Sequence, residues 1–225
     1  MVFTQRLGTH AMRNLFLYTG NCAWFYGVTL ISLADVASLQ FTSPLFTAII
    51  AAAFLGEKIG SHRMIAILVG FAGALIIIRP GVIPVNLGTM MILIAAFLYS
   101  CAHVVTKRLS DTESGSTVVF YMSVTILVYS AIPAFVVWET PTWADMPAMI
   151  GLGVTGYATH YCITRSLAAG DASFVIVFDF MRLPFSAILG WLLFKEMLDA
   201  WTVGGALIIF AAGYYSTIRE AKKTG

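Results

Sequence analysis

Apolar runs follow one another through nearly the whole chain, and this succession most severely limits what it can fold into. They cover residues 15–33, 36–55, 64–78, 87–105, 118–138, 146–167, 172–194 and 201–218. A spanning helix needs about 20 mainly apolar residues to cross a hydrocarbon core about 30 Å thick. Within that core every backbone N–H and C=O must be satisfied internally. Runs this long, without alternating polarity, therefore predict helices and not barrel strands. The expected fold is an all-α integral membrane protein of about eight transmembrane helices. Composition agrees, since 59% of the 225 residues are hydrophobic and 11% are charged, outside the range of a soluble domain. A formal charge of +2 is too small for a nucleic-acid surface, so the expected surroundings are the lipid bilayer and no nucleic acid. Cys22, Cys101 and Cys162 all fall inside apolar runs and are expected as free, buried thiols. The first run lacks the short apolar core and cleavage site of a signal peptide and is expected to be retained.

Orientation follows from the basic residues, which cytoplasmic loops hold in excess. With both termini inside, one side carries Arg6, Arg13, Lys58, Arg63, Lys107, Arg108, Arg165, Arg219, Lys222 and Lys223. The other side carries Arg79 and Lys195, and Arg182 lies within a span. This asymmetry predicts cytoplasmic termini.

An internal repeat is visible. Ala34-Asp35-Val36-Ala37-Ser38, Pro44 and Phe54-Leu55-Gly56-Glu57-Lys58 recur as Gly170-Asp171-Ala172-Ser173, Pro184 and Leu193-Phe194-Lys195-Glu196. The proline-to-glutamate spacing differs by one residue between the copies. The topology places Glu57 at the cytoplasmic side and Glu196 at the outer side, so the copies are inverted. Inverted repeats put a substrate site near the midplane and let one bundle rock against the other.

Pro44 through Leu55-Gly56-Glu57-Lys58, followed by Gly70 and Gly73, resembles the EamA-type half of the drug/metabolite transporter superfamily. Phe178-Asp179-Phe180-Met181-Arg182-Leu183-Pro184-Phe185, with Gly190-Trp191 and Phe194-Lys195-Glu196, resembles that family's ninth helix. The resemblance implies ten helices as two inverted five-helix repeats. Against that pattern the chain is expected to begin at the third helix: residues 1–85 form an incomplete N-terminal repeat of three helices, and residues 86–225 a C-terminal repeat of five. The expectation is a fragment, or a chain that pairs with a missing-helix partner or a second copy of itself.

Ionisable groups inside a span are costly and normally face a cavity or a partner. Asp179 and Arg182 lie three apart on one helix face. They suit either an intrahelical ion pair or a substrate site, in which Arg182 grips a carboxylate or phosphate and Asp179 attracts a cation or carries a proton. His160 shares a helical face with Tyr157, Tyr161 and Thr164, as a cavity wall, a proton relay or a hydrogen-bonded core histidine. His103, one turn beyond Tyr99, invites the same readings. Asn21 and Gln40 suit substrate hydrogen bonding or interhelical pairing. Pro44 and Pro184 are expected to kink their helices and shape the cavity. Gly151, Gly153 and Gly156 match the dinucleotide G-x-G-x-x-G pattern by letter. No strand precedes them, so they are read as glycines permitting close helix packing.

The resemblance implies a secondary carrier of a small organic metabolite in the bacterial inner membrane, working by alternating access. Relatives of this kind handle amino acids, nucleotide-related compounds, riboflavin, S-adenosylmethionine and drug-like cations. No cofactor, metal site or catalytic residue is expected, and no Walker motif is present. The alternatives are an intramembrane enzyme using His160 or Asp179, and a non-transporting membrane helper subunit.

Overall fold

The computed structural model describes residues 4–31, 33–57, 59–79, 86–194 and 200–224, and every regular element among them is helical. The helices are α1 (Leu7–Val28), α2 (Leu33–Gln40), α3 (Ser43–Leu55), α4 (Ser61–Ile78), α5 (Leu87–Ser110), α6 (Gly115–Val136) and α7 (Met146–Ala169). They are followed by α8 (Ala172–Val175), a 3₁₀ helix (Ile176–Met181), α9 (Arg182–Phe194) and α10 (Ala200–Thr224). By length and apolarity, 61–78, 87–110, 172–189 and 200–219 each suffice to cross a membrane; 43–55 and 115–131 are shorter apolar helices. Lys58, Lys195 and Glu196 lie outside the described residues.

Two expected spans are not continuous. The run 36–55 divides into α2 and α3 just ahead of Pro44, and the run 172–194 winds as a 3₁₀ helix just ahead of Pro184. Proline has no N–H to serve the carbonyl four residues earlier, so the backbone before it tightens or breaks. The breaks fall at matching points of the internal repeat. Gly56 then ends α3 with φ 69°, the left-handed conformation that costs glycine nothing.

Helix α1 starts eight residues earlier than the apolar run, because its polar first turns find partners on α5 and α6. Arg13, expected in a cytoplasmic segment, is instead buried inside the helix. It donates to Thr106 Oγ1 at 2.9 Å through Nε and to Asn14 Oδ1 at 2.9 Å through Nη1. Asn14 Nδ2 donates to the Tyr121 carbonyl at 3.1 Å, and His10 Nε2 lies 2.7 Å from Glu113 Oε2. Further along, a Cβ on Gly20 would meet the Tyr99 ring at 2.9 Å and one on Gly27 would meet Ile92 at 2.6 Å. Helices α1 and α5 are thus antiparallel neighbours along most of their length. A second antiparallel pair, α4 with α10, crosses where Gly73 and Gly205 bring the two backbones together.

Helix α7 behaves differently from the sequence expectation. A Cβ on Gly151, Gly153 or Gly156 would meet nothing within 4 Å, so these glycines seat no helix among the described residues. The buried residues of α7 are Thr164 and Leu167, in its last turns, and Ile150, Leu152 and Val154 are exposed.

Candidate functional site

The break between α2 and α3 and the 3₁₀ helix meet in the middle of the bundle. Phe41, at the first break, stacks on Phe180 of the 3₁₀ helix with centroids 5.6 Å apart, and both rings are buried. Gly70 of α4 leaves room for that stack, since a Cβ there would meet the Phe180 ring at 2.7 Å. Arg182, the first residue of α9, lays its guanidinium over Phe41 at 5.0 Å from the ring centroid.

Beside this junction is a cavity of about 560 Å³ lined by Asn21, Trp24 and Phe25 of α1, Val36, Ala37, Gln40 and Phe41 around the first break, Tyr99 of α5, and Arg182 with Leu183. Three intramembrane polar residues singled out from the sequence, Asn21, Gln40 and Arg182, therefore share one space. The Tyr99 hydroxyl donates to Asn21 Oδ1 at 2.7 Å and fixes that amide against the wall. Gln40 Oε1 is buried and has no hydrogen-bond partner among the described residues, an arrangement that costs about 1–3 kcal/mol until a donor arrives. Aromatic faces, two amides and one cation together suit a flat, polar-edged solute.

Asp179 does not face this cavity. It lines a neighbouring one of about 210 Å³ with His103, Cys162, Ser166 and Phe178. Its Oδ2 nonetheless lies 3.7 Å from Arg182 Nη2, so the pair straddles the 3₁₀ helix. His160 and Tyr157 line neither cavity. Tyr157 is half exposed and stacks on Tyr161 at 6.2 Å, while His160 gives its carbonyl to the Thr164 hydroxyl at 2.7 Å. Pro44 and Pro184 are both buried beside the breaks they cause.

One cluster escaped the sequence reading. At the end of α3 the Glu57 carboxylate crosses to the start of α8. It accepts the Ala172 N–H at 2.8 Å, the Ser173 N–H at 3.0 Å and the Ser173 hydroxyl at 2.5 Å. Arg63 of α4 completes the latch, donating to Ser173 Oγ at 2.9 Å and to Asp171 Oδ2 at 2.6 Å. The repeat gave no signal of it, for it matches Glu57 with Glu196 and Asp171 with Asp35, whereas the latch joins Glu57 to the residues after Asp171, more than 100 positions away. The latch lies at the end of the bundle that also holds Arg6 and Arg108, which line a separate cavity of about 500 Å³ with Phe54 and Leu55.

The EamA-like transporter family model matches residues 8–79 and 86–218. The chain belongs to the EamA-like transporter family. Among its relatives, a riboflavin transporter of Vibrio cholerae serotype O1 is 32% identical over 223 residues, covering 98% of this chain and 75% of that protein. An S-adenosylmethionine uptake transporter of Rickettsia bellii is 29% identical, covering 97% and 75%. The pseudopaline exporter CntI of Pseudomonas aeruginosa is 30% identical, covering 84% and 67%. A solved structure superimposes with a TM-score of 0.80 at 18% identity over 96% of this chain and 78% of its own, which establishes the fold alone. This EamA-like chain is a multi-pass membrane transporter of small molecules and not an enzyme.

Proposed function

We propose that this EamA-like chain carries a planar heteroaromatic metabolite, of the flavin or nucleoside kind, across a bacterial inner membrane by alternating access. The observation that carries this reading is the 560 Å³ cavity, in which Trp24, Phe41 and Tyr99 supply aromatic surface around Gln40, Asn21 and Arg182. The unpartnered Gln40 Oε1 accepts an imide or amine N–H, and Arg182 takes a carbonyl, carboxylate or phosphate oxygen. Pro44 and Pro184 place their breaks at the cavity, where the two halves hinge. The halves are residues 1–85 and 86–225. Both termini face the cytoplasm, a reading supported by the basic residues gathered at the latched end.

Riboflavin, whose own fluorescence reports its uptake, is the probe for proteoliposomes containing the native chain, Arg182→Ala or Gln40→Ala. Saturable uptake is expected for the native chain. Each variant is expected to raise the half-saturating concentration about tenfold, the equivalent of one charge-assisted or buried hydrogen bond of about 1.4 kcal/mol. S-adenosylmethionine serves as competitor. Uptake equal to that of empty vesicles, or the same in all three proteins, refutes the assignment of this cavity.

A further inference from the structure

The Asp179–Arg182 pair is set on the border between two cavities, and the smaller one has no role in the substrate site just described. Four observations bear on it. The carboxylate of Asp179 opens into the 210 Å³ space, while Arg182 opens into the larger one. Across the small space stands His103 of α5, whose Nδ1 is buried without a hydrogen-bond partner among the described residues. The charges that act on His103 are Asp179 from the 3₁₀ helix, Arg13 from α1 and Arg182 from α9, and His160 of α7 interacts with it as well. Asp179 is the carboxylate in that set.

We propose that His103 is a proton site which competes with Arg182 for Asp179, so that proton and substrate are carried together. This rests on the substrate reading above. When His103 is neutral, Asp179 matches the charge of Arg182 at 3.7 Å and weakens its pull on a ligand oxygen. A proton taken from water onto the His103 imidazole creates a second cation beside the same carboxylate. Asp179 then turns to the imidazolium, and Arg182 presents its full charge to the larger cavity. Substrate on Arg182 in turn favours the proton on His103, because each relieves the other's competition for one carboxylate; the linkage is reciprocal. The proton is released to water on the far side with the substrate, and no other bond forms or breaks. Imidazole is suited to this because it exchanges its proton within the physiological range. Burial of the ring, and then Arg13 and Arg182, oppose the imidazolium, which makes Asp179 indispensable to it.

The alternative role for the pair is plain neutralisation of an arginine within one helix. Two measurements separate them. In the first, proteoliposomes with membrane potential clamped at zero receive riboflavin and an inward acid gradient of one pH unit. One proton per substrate drives about tenfold accumulation of riboflavin, since one pH unit is a tenfold ratio of proton activity. His103→Gln is expected to admit riboflavin only to equal concentrations on both sides. Accumulation by His103→Gln equal to that of the native chain overturns the proposal. Entry without accumulation in the native chain also overturns it, while leaving the substrate reading intact.

The second measurement needs no substrate. The full chain in micelles, with isotope-labelled histidines, is titrated by NMR, and the His103 resonance is assigned by its loss in His103→Gln. It is expected to titrate, and to move to lower pH in Asp179→Asn, which removes the carboxylate that favours the imidazolium. No titration, or identical titration in Asp179→Asn, overturns the proposal even if riboflavin does not enter any vesicle. Absence of entry alone counts against the substrate reading.

Discussion

Arg63→Met tests the latch. The guanidinium it removes is 1% exposed, and three acceptor groups depend on it: Ser173 Oγ at 2.9 Å, Asp171 Oδ2 at 2.6 Å and, by charge, Glu57 at 4.0 Å. A hydrogen bond to a charged group contributes about 1.5–3 kcal/mol. Asp171 is 45% exposed, so water replaces much of its share. Glu57 is 7% exposed and keeps three neutral donors but, among the described residues, no other cation in an ion pair with it. Methionine restores the apolar stem. The sum is a loss of about 3 kcal/mol, at the low end for a buried pair broken on one side. Replacement of both partners is a different matter: Glu57→Ala with Arg63→Met should cost less than the two single changes added together, because no lone buried charge is left.

Two assays read this. Thermal unfolding in detergent, followed by tryptophan fluorescence, reports the stability of the closed form. A cysteine at Ala172, buried beneath Glu57, in a chain with Cys22, Cys101 and Cys162 replaced by serine, reports opening through its rate of maleimide labelling. A bias of about 3 kcal/mol between closed and open forms corresponds to a rise of about a hundredfold in that rate. Unchanged labelling together with an unchanged melting temperature would refute the reasoning, for it would mean that Glu57 and Asp171 are held equally well without the arginine.

Two glycines give opposite outcomes for the same change. Gly205→Ala would set its Cβ 2.7 Å from the Gly73 carbonyl oxygen at the α4–α10 crossing, so unfolding in detergent should shift down by about 2 kcal/mol; Gly153→Ala meets nothing within 4 Å and should gain up to about 1 kcal/mol from helix propensity. Tyr99→Phe removes the hydroxyl that orients Asn21 and should weaken saturable riboflavin uptake about fivefold, with stability lowered by no more than about 1 kcal/mol.

The apolar runs already dictated helices, because a bilayer allows no other way to satisfy a spanning backbone, and Pro44 and Pro184 marked two interruptions, because proline cannot serve the carbonyl behind it; Pro133, inside the unbroken α6, shows that proline alone does not decide a break. The cost of intramembrane polarity likewise singled out Asn21, Gln40, Asp179 and Arg182 as one-dimensional facts. Helix starts were less legible: Arg13 reads as a loop residue because its partner Thr106 is 93 positions away. The same distance problem hid the latch, since Glu57 and Arg63 meet Asp171 and Ser173 only once α3, α4 and α8 are packed. Three-residue spacing puts Asp179 and Arg182 on one face, but it says nothing of what lies on either side. The tertiary structure alone divided them between two cavities, because the 3₁₀ helix passes between those spaces and the longer arginine reaches over Phe41 while the aspartate stays with His103. Local chemistry fixed which groups must be satisfied inside the membrane; the packing of helices far apart in sequence decided which group satisfies which.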